Sequence, residues 1–203
     1  MNNLTSGCKL KYDEAKLQSR ARLTAVGFLR AALDDLERLV TEDEHEVNLH
    51  SEWLAVRMST DPTTNSRCSM CMAGAVMFYG LGMDPRIPGN GGCHGYRSIA
   101  PKDVKEDLSQ GDLGYRLSHM LLACDDLRSG RLSDMLRRMQ VWQPDLNERD
   151  LSLIRDSWER WMASPQGEVY WLSDWLKRTR GDVPKFIAKA RELMDLADSA
   201  LLK

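Results

Sequence analysis

The segment Cys68-Ser-Met-Cys-Met-Ala-Gly-Ala-Val-Met-Phe-Tyr79 is apolar on nearly every side and poor in charge. A helix at the surface would keep a polar face, so a segment without one is typical of a helix surrounded by other parts of the chain. The small residues Ala73, Gly74 and Ala75 would let neighbouring backbones come close. The segment therefore predicts a buried central helix at about 68–79.

The sequence on both sides of this segment has the spacing of helices. Apolar residues three and four positions apart recur over 12–40 and again through the second half of the chain. Thr41-Glu-Asp-Glu44 has the pattern of a capping box, which predicts a new helix from about Glu42. Alternating patterns rich in β-branched residues are missing, so no strand is predicted. We expect an all-α, single-domain bundle of roughly eight helices over 1–203, with helical segments near 12–40, 42–58, 68–79, 101–109, 112–129, 132–139, 147–162, 168–178 and 184–202.

Residues 83–100 contain too many glycines and prolines for regular structure. A loop of this length in a compact domain is often functional, and it is also where the chain could be subdivided. Gly91 and Gly92 could present backbone N–H groups to an anion, beside His94 and Arg97. A small-ligand site for a nucleotide or phosphate is therefore one alternative function, and a plain connector is the other interpretation of this loop.

Cysteine and histidine are concentrated in one part of the chain. Cys68, Cys71, Cys93 and His94 could form a tetrahedral zinc site, because a Cys-x-x-Cys pair supplies two ligands at short spacing. The second pair fits less well, since adjacent residues seldom point at one metal ion. Buried thiols that serve only in packing are the other interpretation, because free cysteine is among the most buried residue types. A zinc-stabilised helical module is thus a second alternative function.

Tryptophans cluster in the second half of the chain. Trp158 and Trp161 would share one helix face, and Trp171 and Trp175 would share another. The cluster could form an aromatic seam between two helices. It could also be partly exposed as a partner-binding surface, because tryptophan is enriched at interface hot spots.

Charge and composition exclude several classes of function. The chain has 28 basic and 30 acidic residues, a net charge of −2, so nucleic-acid binding is not supported. Apolar runs fall far short of the about 20 residues that cross a bilayer, and the polar stretch 1–7 has no secretory pattern. Five cysteines, an odd number, favour free thiols in a reducing compartment. We expect a cytoplasmic protein without a membrane segment, for which homo-oligomers are possible.

The segment Arg67-Cys-Ser-Met-Cys-Met-Ala-Gly-Ala75 resembles a motif in small uncharacterised helical proteins of bacteriophages and bacteria, in which Cys-x-x-Gly-Ala opens a buried helix. The matching residues are Cys71-Met-Ala-Gly-Ala75. The resemblance implies no activity and no catalytic residue, but it implies a phage-encoded accessory protein that acts on a host component. We therefore expect a non-enzymatic helical binding protein that engages another protein, with no cofactor unless zinc is bound at the cysteines.

Overall fold

The computed structural model describes residues 9–42, 44–47, 53–57, 67–87, 98–108, 112–165 and 183–202. These residues are mostly helical, as the sequence predicts, and they include a small four-stranded mixed sheet. The helices are α1 (Glu14–Ala21), α2 (Ala25–Thr41), α3 (Met72–Ala75), a π-helical turn (Val76–Gly80), α4 (Pro101–Asp107), α5 (Asp112–Ser129), α6 (Leu132–Trp142), α7 (Glu148–Met162) and α8 (Val183–Leu201). The strands are β1 (Glu46–Val47), β2 (Leu54–Arg57), β3 (Arg67–Met70) and β4 (Ser98–Ile99).

The first predicted helix is two helices with a short break. Asp13 caps α1, because its carboxylate accepts a hydrogen bond from the backbone N–H of Lys16 at 3.1 Å. Thr24 caps α2 in the same way, because its hydroxyl oxygen accepts from the N–H of Gly27 at 3.0 Å. Thr24, a hydroxyl residue inside the helical pattern, is thus the sequence signal for the start of α2.

The capping box predicted at Thr41 is wrong. Thr41 is the last residue of α2, and its hydroxyl donates to the carbonyl oxygens of Glu37 and Arg38. The hydroxyl therefore satisfies the open end of the preceding helix instead of starting a new one. After Thr41 the chain leads into the strands of the sheet. The prediction of a helix over 42–58 is therefore also wrong for the residues that form β1 and β2.

The segment that begins at Cys68 is buried, as predicted, but its first residues form a strand. β3 pairs antiparallel with β2 and parallel with β1, and β4 pairs with the far side of β2. The order in the sheet is β1-β3-β2-β4. The prediction of a helix over 68–79 is therefore wrong for 68–70, and the prediction of a strand-free fold is wrong with it. A short buried run has no polar face, so its sequence period cannot distinguish a strand from a helix.

A close backbone contact joins this segment to β2. A Cβ atom on Gly74 would lie 1.5 Å from the carbonyl oxygen of Trp53, so a side chain at this position has no room. The same oxygen accepts a hydrogen bond from the backbone N–H of Cys71 at 3.3 Å. The predicted role of the small residues, to let backbones approach, is confirmed at Gly74.

The remaining helices pack against α2 and the buried segment. α2 contacts α8, α5 packs between α4 and α6, and α7 packs on α8. The predicted start of α7 is confirmed, because Asn147 accepts hydrogen bonds from the N–H groups of Arg149 and Asp150. Buried apolar side chains from Leu10 to Ala200 form one contiguous core cluster.

Two predictions fall partly outside the part of the chain that the structure describes. The helix predicted at 168–178 lies outside it, and so does most of the loop at 83–100. The single domain over 1–203, with a subdivision near that loop, therefore stays a prediction. In the described helices, no stretch combines the length and hydropathy that a transmembrane span requires.

Candidate functional site

The two described cysteines of the predicted metal site do not converge. Backbone from Cys68 to Cys71 is extended, and residues three apart in an extended chain point to opposite faces about 10 Å apart. The charged groups that act on the Cys68 thiol are Arg86 and Asp84, whereas the Cys71 thiol donates to the carbonyl oxygen of Trp53 at 3.6 Å. The first half of the predicted zinc site is therefore not assembled. Among the described residues, no cluster of three or more potential ligand side chains could hold a metal ion.

The described thiols are poorly reactive as well. Burial raises the pKa of Cys68 and of Cys71 to about 11, and it raises the pKa of Cys124 further. The thiolate is the nucleophile and the metal ligand, so these groups stay protonated near neutral pH. This favours packing as their role. Cys93 and His94 lie outside the described residues, so their part in a metal site stays a prediction.

The tryptophans divide into core and surface residues. Trp158 is fully buried, and its indole N–H donates to the carbonyl oxygen of Leu193 at 2.7 Å. Its predicted role as a partner-binding residue is therefore wrong, since a residue sealed between α7 and α8 cannot reach a partner. Trp161 is half-buried, and its N–H donates to Glu192 at 3.3 Å. Trp158 is thus a helix–helix contact between α7 and α8, whereas the aromatic seam predicted with Trp171 and Trp175 lies outside the described residues and stays a prediction.

Other predicted site residues lie outside the described part of the chain. They are the partner-binding candidates Trp171 and Trp175 and the ligand-binding candidates Gly91, Gly92, His94 and Arg97. Their roles stay predictions.

Sequence reasoning missed an aromatic surface on α4 and α5. We call it the Tyr115 face, and it consists of Lys105, Tyr115, His119 and Arg138. The first turn of α5 lies close to the end of α4, because a Cβ atom on Gly114 would lie 2.7 Å from the carbonyl oxygen of Leu108. Glycine at this position therefore brings Lys105 of α4 over the side chains of α5.

Within this face, Tyr115 contacts both His119 and Lys105. Tyr115 is 42% exposed, and its ring centroid lies 4.5 Å from that of His119, one helical turn further on. The ammonium group of Lys105 lies 5.4 Å from the Tyr115 ring centroid, within the range of a cation–π contact. The result is an exposed aromatic ring held from two sides.

His119 has an unusual environment. Its Nδ1 atom is buried without a hydrogen-bond partner. Burial lowers the pKa of His119, and the charges of Arg138 and Lys105 lower the pKa further. The imidazole is therefore neutral near pH 7 and has an unused hydrogen-bonding atom. The spacing of Tyr115 and His119, outside the apolar stripe of α5, is the one sequence signal for this surface.

Two further polar groups lie in the core. Arg20 donates to the carboxylate of Asp35 at 2.5 Å, and burial outweighs this cation, so that the pKa of Asp35 is raised to about 7. His45 is 4% exposed, its ring lies 4.8 Å from that of Phe78, and its Nδ1 atom has no partner. Both groups are buried, and the effect of each on stability is predicted below.

A shallow cleft of about 300 Å³ lies where the start of α6 meets α7. Its lining carries both signs of charge, from Arg131 and Arg155 and from Asp134 and Glu159. Charges that cancel across such an open cleft give little preference for one class of ligand. The Tyr115 face is therefore the stronger candidate site.

The chain was also compared with known proteins. No protein-family model, no curated protein and no solved structure matches it.

Proposed function

We propose that this protein is a non-enzymatic, α-helical binding protein that engages another protein through the Tyr115 face. The observation that carries the proposal is Tyr115, a residue that is 42% exposed and whose ring contacts both His119 and Lys105. Exposed tyrosines with few degrees of freedom are typical anchors of protein interfaces. Because the contacts already restrict this ring, a partner would lose little conformational entropy on binding it.

The pKa values of the thiols and the ion pairs of the buried carboxylates support binding rather than catalysis. The described thiols have raised pKa values, which opposes their use as nucleophiles. The buried carboxylates of Asp35 and Asp126 form ion pairs with arginines of the fold. These groups have structural roles that account for their burial.

The biological setting of this proposal comes from the sequence. The resemblance of Cys71-Met-Ala-Gly-Ala75 to a motif of phage and bacterial proteins supports an accessory protein that engages a host protein. Five cysteines, an odd number, favour free thiols and so support action in a reducing compartment such as the cytoplasm. We propose both as parts of the same function.

Affinity capture from a bacterial host lysate tests the proposal. Tyr115→Ala should reduce the captured partner at least tenfold, because truncation of a hot-spot residue costs about 2 kcal/mol or more. Leu202→Ala is the matched control, since Leu202 is 89% exposed at the end of α8, and it should leave capture unchanged. Thermal unfolding of both variants checks that the fold is retained.

The same experiment compares the proposed surface with the tryptophan surface. Capture that survives Tyr115→Ala but is lost in Trp161→Ala or in the Trp171→Ala/Trp175→Ala double variant would contradict the Tyr115 face and favour the tryptophans. An unchanged partner in all of these variants would contradict both surfaces.

A further inference from the structure

The Tyr115 face has a lysine with no ion-pair partner among the described residues. Lys105 is exposed, and its ammonium group lies over the Tyr115 ring. Within the described part of the chain it forms no ion pair, unlike the arginines nearby. The neighbouring acid Glu106 is about 100° further round α4, so it points away from the direction of Lys105.

The surroundings of His119 are also cationic. Arg138 and Lys105 are the charges that act on its imidazole. Arg138 donates to the buried carboxylate of Asp126 at 2.5 Å, and that carboxylate also accepts from Arg131. The neighbouring Asp125 accepts from Arg131 and from Arg128, so this cluster has three arginines and two acids, an excess of one positive charge in a chain whose net charge is −2.

We infer that the segment bound at the Tyr115 face is an acidic stretch of a partner protein, with an Asp or Glu carboxylate beside Lys105 and His119 and an apolar side chain on the Tyr115 ring. This inference rests on the proposed function and adds the chemistry of the partner. The carboxylate would pair with the ammonium group of Lys105.

An acidic protein segment fits this surface better than nucleic acid does. A nucleic-acid strand needs a series of cations along its phosphates. The Tyr115 face offers one exposed ring and one lysine that forms no ion pair within the described ranges, which suits a single carboxylate and its neighbour in sequence. Loss of capture after nuclease treatment would overturn the inference.

Zero-length cross-linking tests the position of the carboxylate. A carbodiimide added to the complex captured from host lysate joins an amine to a carboxylate that is already in contact with it. We expect mass spectrometry to find Lys105 joined to an Asp or Glu of the partner. Lys105→Arg is the matched control, because it keeps the positive charge but has no reactive amine, so capture should persist while this cross-link disappears.

Charge reversal provides the second measurement. Lys105→Glu should reduce capture about tenfold or more, because it places like charges opposite each other. Lys105 is exposed, so we expect the variant to keep its fold, and thermal unfolding checks this. Capture by the wild type should also weaken when salt is raised from about 50 to about 500 mM.

The outcomes distinguish this inference from the proposed function. Capture that depends on Tyr115 but is undiminished in Lys105→Glu overturns the acidic partner and leaves the binding function in place. Cross-links from other lysines, with none from Lys105, overturn it as well. Capture that is insensitive to Tyr115→Ala overturns the binding surface and this inference together.

Discussion

Asp35 is a buried carboxylate whose charge changes within the pH range of most experiments. The groups that act on it are the cations Arg20, Lys16 and Arg38 and the neighbouring acid Asp34. Burial dominates and raises its pKa from 3.8 to about 7. The folded protein therefore keeps a proton on Asp35 over a range in which the unfolded chain has lost it.

The sign of the pH dependence follows from this difference in bound protons. Between about pH 4 and pH 7 the folded state binds more protons at Asp35, so the free energy of unfolding should fall as the pH rises. The loss attributable to Asp35 is on the order of 4 kcal/mol and is complete above about pH 7. Asp35→Asn cannot titrate, so urea unfolding from pH 4.5 to 8 should show this fall in the wild type and not in the variant. Equal slopes in the two proteins would contradict the raised pKa.

His45 should affect stability in the opposite direction. Burial lowers its pKa below 6.5, so the unfolded chain binds the proton first and stability is lost as the pH falls below about 6.5. His45→Leu removes both this titration and the unpaired Nδ1 atom, and we expect a gain of about 1 kcal/mol at pH 7. Chemical denaturation at pH 7 and pH 5.5 checks it. A variant that is less stable than the wild type at both values would show that the imidazole has a favourable partner.

At the level of elements, the contact between α3 and β2 depends on one glycine. Gly74→Ala places a methyl group 1.5 Å from the carbonyl oxygen of Trp53, so α3 and β2 must separate. We expect a loss of roughly 3 kcal/mol in the free energy of unfolding. Gly27→Ala in the first turn of α2 is the control, because its nearest contact would be 3.0 Å, to the side chain of Thr24, and it should change stability by less than about 1 kcal/mol. Similar losses in the two variants would contradict the close packing at Gly74.

The elements also show which local signals could be recognised in the sequence. Asn147 with Asp150 predicts the start of α7 correctly, because the cap is made by residues close in sequence. Thr41 has the same type of pattern but ends α2, because its hydroxyl can bind carbonyl groups behind it as well as N–H groups ahead. A hydroxyl can cap N–H groups ahead of it only if the following residues are helical. After Thr41 the chain leads into strand β1, so the hydroxyl binds the carbonyl groups of α2 instead.

At the level of the whole molecule, one core cluster extends through most of the helices. Trp158 lies in this core between α7 and α8, whereas Trp161 is half-buried at its edge. Trp158→Ala should therefore reduce the free energy of unfolding by about 4 kcal/mol, and Trp161→Ala by about 1 to 2 kcal/mol. Circular dichroism during denaturation measures both losses. A larger loss for Trp161→Ala would contradict the assignment of Trp158 as the core residue.

Part of the candidate site could be predicted from the sequence, and part could not. Tyr115 and His119 lie outside the apolar stripe of α5, so the exposure of Tyr115 follows from the helical period. The position of Lys105 does not, because it belongs to α4 and reaches the Tyr115 ring only through the close approach at Gly114. The sequence of one element alone has no pattern that predicts its contact with another element.

The amino-acid sequence by itself determined the mostly helical character of the protein, the burial of the segment from Cys68 onward and several helix starts. These properties depend on hydrophobic period and on hydrogen bonds between near neighbours, which are written in consecutive residues. Tertiary structure alone decided that residues 67–70 form a strand, that the Cys68 and Cys71 thiols diverge and that Trp158 is sealed in the core. Each of these depends on which distant backbone or side chain supplies the contact, because a buried residue adopts the conformation that its neighbours can pair with and pack against.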